Sequence, residues 1–363
     1  MGVMNKAEMI HDASGTGASS IQSAYHGSNS VTLGSRLVGM VPWIMIAGLL
    51  YAGIFIHPKP TGSAVVPPVI ERKDLLFGVN ITDKHNIWIV GNFGKIIKSS
   101  DAGVSWKRQT TGVDVHLQDI DSWDDAHAVA IGNGASVLHT EDAGTTWKTV
   151  VVPHSDVANK LIHVHVGAGG TAWVVGEYGT VLRTTDFGAT WKQMREPEDV
   201  NFADIDASNL KNIWIAAEGG KLFHSADEGA TWSMIQTQAT GSLMAIQFRT
   251  PEKGVAVGLD GTILTTQNSG ATWTRIPDSK TKNAQHLFAI TWDAQNNEWV
   301  AVGSKGVWVR MDADLTTFNT GKLSASDLAA HTKIGIIDQT HLVVAGERPG
   351  IWDRSQWTSL VGR

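Results

Sequence analysis

Three groups of residues have the types and spacing for chemistry. His163 and His165 alternate along the apolar run from Leu161 to Val166, so both imidazoles face the same way and could share a metal ion. The equivalent positions of two other segments hold Asp119-x-Asp121 and Asp204-x-Asp206. A polar position tolerated on an inner strand accounts for all three pairs, and no metal site is expected. Tyr178 beside Glu177 has the types of a nucleophile and its activating base. The third group is an octet, S/T-x-D-x-G-x-x-W, whose carboxylate sits two places after a hydroxyl.

The octet occurs five times: Ser99 to Trp106, Thr140 to Trp147, Thr184 to Trp191, Ser225 to Trp232 and Thr266 to Trp273. Asp101, Asp142, Asp186 and Asp227 hold the acidic position, and Asn268 replaces them in the last copy. A carboxylate here can accept backbone N–H bonds within a tight turn, and the glycine supplies positive φ. The Trp then opens the next strand with a large ring to bury. Five copies in register mark a structural turn and displace a catalytic reading.

The closing tryptophans at 106, 147, 191, 232 and 273 are spaced by 41 to 44 residues, a period that suggests propeller blades. Upstream of each octet lies a glycine-bounded hairpin tip, such as Gly91-Asn92-Phe93-Gly94 or Gly176-Glu177-Tyr178-Gly179. Tips continue at Gly303 to Gly306 and Gly346 to Gly350, after the octets have decayed, so the tips count seven units. Each unit reads as four antiparallel strands joined by tight turns. Trp88, Trp173 and Trp214 recur just before their tips and are expected to pack between neighbouring sheets. The fold expected over 74–363 is an all-β, seven-bladed β-propeller. Its last blade is closed either by Gln356 to Leu360 or by a return of Ala64 to Ile70.

Residues 1–36 are polar and rich in Gly, Ser and Ala, and read as a disordered tail. Leu37 to Ile56 is uncharged for twenty residues, roughly 30 Å as a helix, and is expected to be a single transmembrane signal anchor. A linker, 57–73, separates it from the propeller. The formal charge of -6 and the lack of a basic tract argue against nucleic acid. With no cysteine, disulfides, thiolate metal sites and Cys nucleophiles are excluded.

The octets resemble the Asp-box, or bacterial neuraminidase repeat. The run from about 74 to 352 resembles the propeller family of photosystem II assembly/stability factors, through phrases such as Trp173-Val174-Val175-Gly176-Glu177-Tyr178-Gly179. That resemblance implies a non-enzymatic propeller that helps assemble a membrane complex. The complex would be a photosystem if the host is photosynthetic; relatives encoded beside resistance-nodulation-division exporters suggest an exporter instead. Sialidases share octet and architecture, so glycoside hydrolysis is the alternative. However, Tyr178 and Glu177 occupy a repeated tip position, and Arg275-Ile276-Pro277 follows the fifth octet instead of opening the fold.

No catalytic residue, cofactor, metal or small-molecule ligand is therefore expected. The partner is expected to be a membrane protein complex, with the anchor in the inner membrane and the propeller in the periplasm. Two surfaces could bind it. Tips and inter-blade loops gather Glu177, Tyr178, Arg195, Arg275, Lys305 and Arg348 on one face. Lys98, Arg183 and Arg310 share one position just before the octets or their remnants, and could form a basic arc near the other face.

Overall fold

The structure is a computed structural model and describes residues 33–55 and 67–362. The expected tail thus lies almost wholly outside the described residues, as does most of the linker. The chain divides into two compact units, Met1–Val65 and Val66–Arg363. In the first, helix α1 runs over Leu33–Phe55 with Pro42 inside it. Met40, Trp43, Leu49 and Phe55 are exposed along its length. Among the described residues no helix is long and apolar enough to cross a membrane. The crossing expected at 37–56 is therefore not shown. The helix begins four residues before that span, taking Ser35 and Arg36 into its first turn, and Ile56 lies outside the description.

The second unit is built from a repeated up-and-down meander. In its first repeat, β1 (Leu76–Ile81), β2 (Ile87–Gly91), β3 (Ile96–Ser99) and β4 (Lys107–Arg108) pair antiparallel in sequence order. Second strands are fully buried, because both faces of each sheet are covered by neighbouring sheets. The described strands form five four-stranded sheets and one eight-stranded sheet. The larger sheet joins the first and last repeats through a single pairing, Leu76 with Gly346. Each inner strand lies against the next around the ring, and His331–Ile336 returns to β1. The architecture is an all-β, propeller-like fold.

Trp357–Ser359 pairs with Gly350–Trp352, so the C-terminal strand completes its own sheet. The N-terminal segment instead wedges in at the seam. Ile70 is fully buried beside Leu360, and its carbonyl accepts the Gly362 N–H at 2.8 Å. Lys95 Nζ bonds the Val69 carbonyl at 3.2 Å and pairs with buried Asp74.

The octets form the turns expected of them. At Asp186, Oδ1 accepts the Thr190 N–H at 2.9 Å and Oδ2 its hydroxyl at 2.6 Å, while Thr184 Oγ1 accepts the Gly188 N–H at 3.2 Å. Asp101, Asp142 and Asp227 repeat these bonds, and Asn268 keeps the N–H bond at 3.0 Å. The decay expected in the sixth repeat is only partial. Asp312 accepts the Thr316 and Thr317 N–H groups at 2.7 and 3.0 Å, a shifted carboxylate holding a longer turn.

The octet glycine is constrained twice. Gly229 has φ +82, and a Cβ there would lie 2.5 Å from Trp173 in the preceding repeat; Gly144 and Gly270 meet Trp88 and Trp214 in the same way. The three tryptophans are fully buried between sheets, as expected. Gly229→Ala should therefore lose at least about 3 kcal/mol in denaturant unfolding. Gly134→Ala, with φ +67 but nothing within 4 Å, should lose only about 1 kcal/mol. Equal losses would contradict an inter-sheet role for the octet glycine.

Candidate functional site

Two faces follow from how the turns pack. Octet turns rest on the connection between first and second strands, as where Phe187 N–H meets the Gly170 carbonyl at 3.0 Å. Hairpin tips rest on the segments linking one repeat to the next. Gly179 N–H bonds the Val200 carbonyl at 2.7 Å, and Gly306 N–H that of Ala329 at 2.9 Å. Tips and inter-repeat loops thus share one face.

On that face the six residues singled out in the sequence divide. Lys305 and Arg348 are exposed. Tyr178 is half-buried at a tip with φ 55, and Glu177 Oε2 accepts the Lys160 N–H at 3.2 Å. No Tyr178–Glu177 hydrogen bond is formed among the described residues. Arg275 pairs with Asp278 at 2.8 Å. Arg195 pairs with Glu198, and its guanidinium lies 4.9 Å from the Phe223 ring and 5.4 Å from that of Phe202. It is a packing residue more than a free charge.

The basic position before the octets is largely consumed in the same way. Lys98 Nζ sits 4.1 Å over Trp88 and bonds the Ala143 carbonyl at 3.2 Å. Arg183 lies 5.1 Å over Trp173 and 3.9 Å from Glu228. Arg310 Nε contacts Glu298 at 3.0 Å, and Glu298 also pairs with Arg354. Lys98 and Arg183 thus cover buried indoles, and Arg310 ties neighbouring strands through Glu298.

The axial channel carries a cluster of ionisable groups. Every inner strand has a bulge at its second residue, where the register skips one position against the second strand. A bulge re-aims a side chain, here toward the axis at the tip-face mouth. Phe77, Ile162, Ala203, Met244 and Phe288 occupy bulged positions and line a cavity of about 610 Å³. One residue further on, His163 bridges two repeats, with Nδ1 at 2.5 Å from Asp119 and Nε2 at 2.7 Å from Asp204. Lys333 Nζ reaches Asp119 at 3.1 Å from across the ring.

The His-x-His and Asp-x-Asp pairs therefore meet in space. No metal-binding group of three such side chains occurs among the described residues. Their carboxylates instead satisfy the unpaired inner edge of the next repeat. Asp119 and Asp121 accept Val164 and Val166 N–H at 3.2 and 2.8 Å, and Asp204 accepts Ile246 N–H at 2.8 Å. Burial opposes charge on His163, but Asp204 and Asp119 outweigh both it and the repulsion of Lys333, raising the pKa to about 9. Burial likewise opposes ionisation of Asp204, yet His163 and Lys333 lower its pKa to about 2. Burial raises that of Asp121. Lys333 was not among the polar pairs, because although it holds the position equivalent to Asp119, His163 and Asp204, the second position of its pair is Gly335.

Together these features define an Asp-box, propeller-like protein whose loops and polar inner strands are used mainly to hold the ring. Residues 105–197 and 193–267 match the family model described as photosynthesis system II assembly factor YCF48. The resemblance to the photosystem II assembly-factor-like propeller family is thus borne out over that stretch. Similar solved structures include a YCF48 bound to D1 peptide, with TM-score 0.64, 16% identity, and coverage of 77% of this chain and 92% of that one. YCF48 from Cyanidioschyzon merolae gives 0.64, 16%, 78% and 97%. The WD40 propeller domain of Doa1 gives 0.62, 9%, 76% and 90%. No curated protein matches in sequence.

His163 is charged below its raised pKa, so its contribution to stability is complete below the ordinary 6.5 and lost as pH rises through about 9. Asp204 contributes above 3.8 and loses that contribution as pH falls toward about 2. His163→Ala leaves two buried carboxylates without their shared cation and should cost about 3–5 kcal/mol near neutral pH. It should also flatten the alkaline decline in unfolding free energy between pH 6.5 and 9. A variant with the parent's alkaline profile would contradict the bridging role.

Proposed function

We propose that this chain is a non-enzymatic, seven-bladed propeller that scaffolds the assembly of a membrane protein complex. The family match over residues 105–267 carries this reading. Seven blades agree with twenty-eight described strands, and with a large sheet joined by one pairing that is better read as two blades. The similar propeller solved with a D1 peptide supports a protein segment as the kind of client. The same match favours an assembly client over an exporter. Against hydrolysis stand the positions of Tyr178 and Glu177, one on a tip and the other engaged with backbone.

The propeller is tethered to the inner membrane and works in the periplasm. Support for the tether comes from the exposed apolar side chains of α1, such as Met40, Trp43, Leu49 and Phe55, and from the uncharged run 37–56, roughly 30 Å as a helix. The client binds the tip face, where Lys305 and Arg348 have exposed charges, and not the octet side, where Lys98, Arg183 and Arg310 are engaged.

Carbonate extraction of the expressed chain should leave it in the membrane fraction, and deletion of 33–56 should release it; extraction of the full chain would remove the tether from this account. In mild detergent the full chain should retain a stoichiometric membrane-protein partner. Lys305→Glu with Arg348→Glu should weaken that capture at least tenfold, roughly 1.4 kcal/mol, while Arg183→Glu should act only through stability. A solitary protein that cleaves aryl glycosides would overturn the scaffold reading.

A further inference from the structure

The axial cavity is larger than the ionic cluster beneath it requires. It is about 610 Å³, open at the tip-face mouth, and falls within the roughly 300–1,000 Å³ typical of ligand pockets. Its collar is mainly apolar, with Phe77, Ile162, Met244 and Phe288 brought inward by the bulges and Gln118 and Thr332 as the two polar members. The four apolar side chains are only half-buried, so this surface is open to an occupant.

The polar floor limits what that occupant can be. Asp119 is occupied by the Val164 N–H, His163 and Lys333. Asp204 is occupied by the N–H groups of Ile205 and Ile246 and by His163. The oxygens of these two carboxylates are therefore engaged. Lys333 is different: an ammonium has three N–H donors, and this one donates to Asp119 while its side chain stays 25% exposed; the charged His163 beside it has no lone pair to accept. At this ionic cluster the floor offers a donor.

Charge narrows the choice further. Asp119 and Asp204 balance His163 and Lys333, and of the other charged groups lining the cavity Asp206 and Glu218 are acidic and Lys160 basic, so the surroundings carry one excess negative charge. A ligand carboxylate would add an uncompensated negative charge next to both aspartates, and a cation would face Lys333. A neutral carbonyl can take the spare N–H without disturbing that balance. Carbonyl next to bulky apolar group is the chemistry of an uncharged peptide segment.

We infer that the axial cavity receives a large apolar side chain from an extended, uncharged segment of a partner protein, with a backbone carbonyl of that segment accepting from Lys333 Nζ. This rests on the reading of the tip face as the client-binding face, and it assigns the apolar anchor that the charged tips do not supply.

The test uses the full chain in detergent with methyl-labelled methionine and N-acetyl-phenylalanine amide as a neutral probe. The Met244 methyl resonance should shift saturably, and N-acetyl-phenylalanine, with its free carboxylate, should bind at least about tenfold more weakly. Ala203→Trp fills the collar and should abolish the shift and reduce partner capture at least tenfold; Ala203→Leu replaces it if the Trp variant does not fold. No saturable shift at Met244, or equal binding of the two probes, would overturn the inference. So would undiminished partner capture by a folded plug variant, which would leave the scaffold reading intact. Probe binding at Met244 in a chain that captures no partner would instead sink the scaffold reading, and with it the client assigned to this pocket.

Discussion

An inner strand of a propeller pairs on one side only, and its other edge faces the axis with backbone N–H groups that need partners. This chain meets that need with side chains of the preceding repeat. Asp119 and Asp121 serve the strand containing Val164 and Val166; Asp204 and Asp206 serve Ile246 and Phe248; Gln247 serves Trp292 at 2.8 Å. Across three of the four remaining seams Asn80 bonds Asp121, His163 bonds Asp204, and Thr332 bonds the Phe77 carbonyl. Leaving a buried N–H without a partner costs about 1–3 kcal/mol, so this polar ring is as necessary to closure as the apolar layers between sheets.

The outer part of each seam obeys a steric constraint instead. A buried Trp from one second strand fills the space beside the octet of the next repeat, and only glycine lets the turn approach that closely. A cation before the octet then covers the indole, as Lys98 and Arg183 do. The octet carboxylate, its glycine and the basic residue thus form one device for docking a sheet against its neighbour. Charges that could have formed a binding arc are held by that device, which leaves the tip face and the channel mouth as the accessible surfaces.

Much of this was legible in the chain because it is local or periodic. The octet bonds lie within six residues, and the tip glycines announce the repeats even where the octet is altered around Asp312. The Trp spacing told which indoles pack between sheets. The axial cluster was legible only as a pattern: three polar pairs at equivalent positions pointed to a common role, but spacing within a strand cannot show that His163 lies between Asp119 and Asp204, or that Lys333 reaches across 170 residues of sequence to join them. The bulges that aim Phe77 and Met244 into the cavity have no sequence mark, since they depend on pairing with the second strand. Closure was likewise undecided between two segments, and the structure uses both: Trp357–Ser359 as the strand and Ile70 as the wedge.

The central claim is that inner-strand carboxylates tie the next repeat to their own, one oxygen of Asp206 accepting from Ser208 and the other from Phe248. Amide hydrogen exchange on Asp206→Ala measures this directly. Faster exchange at Phe248, across the seam, with protection retained at Ile205 and Ile215 in the repeat that carries the substitution, is the predicted result. Loss confined to the repeat of Asp206, or no change at Phe248, would contradict it.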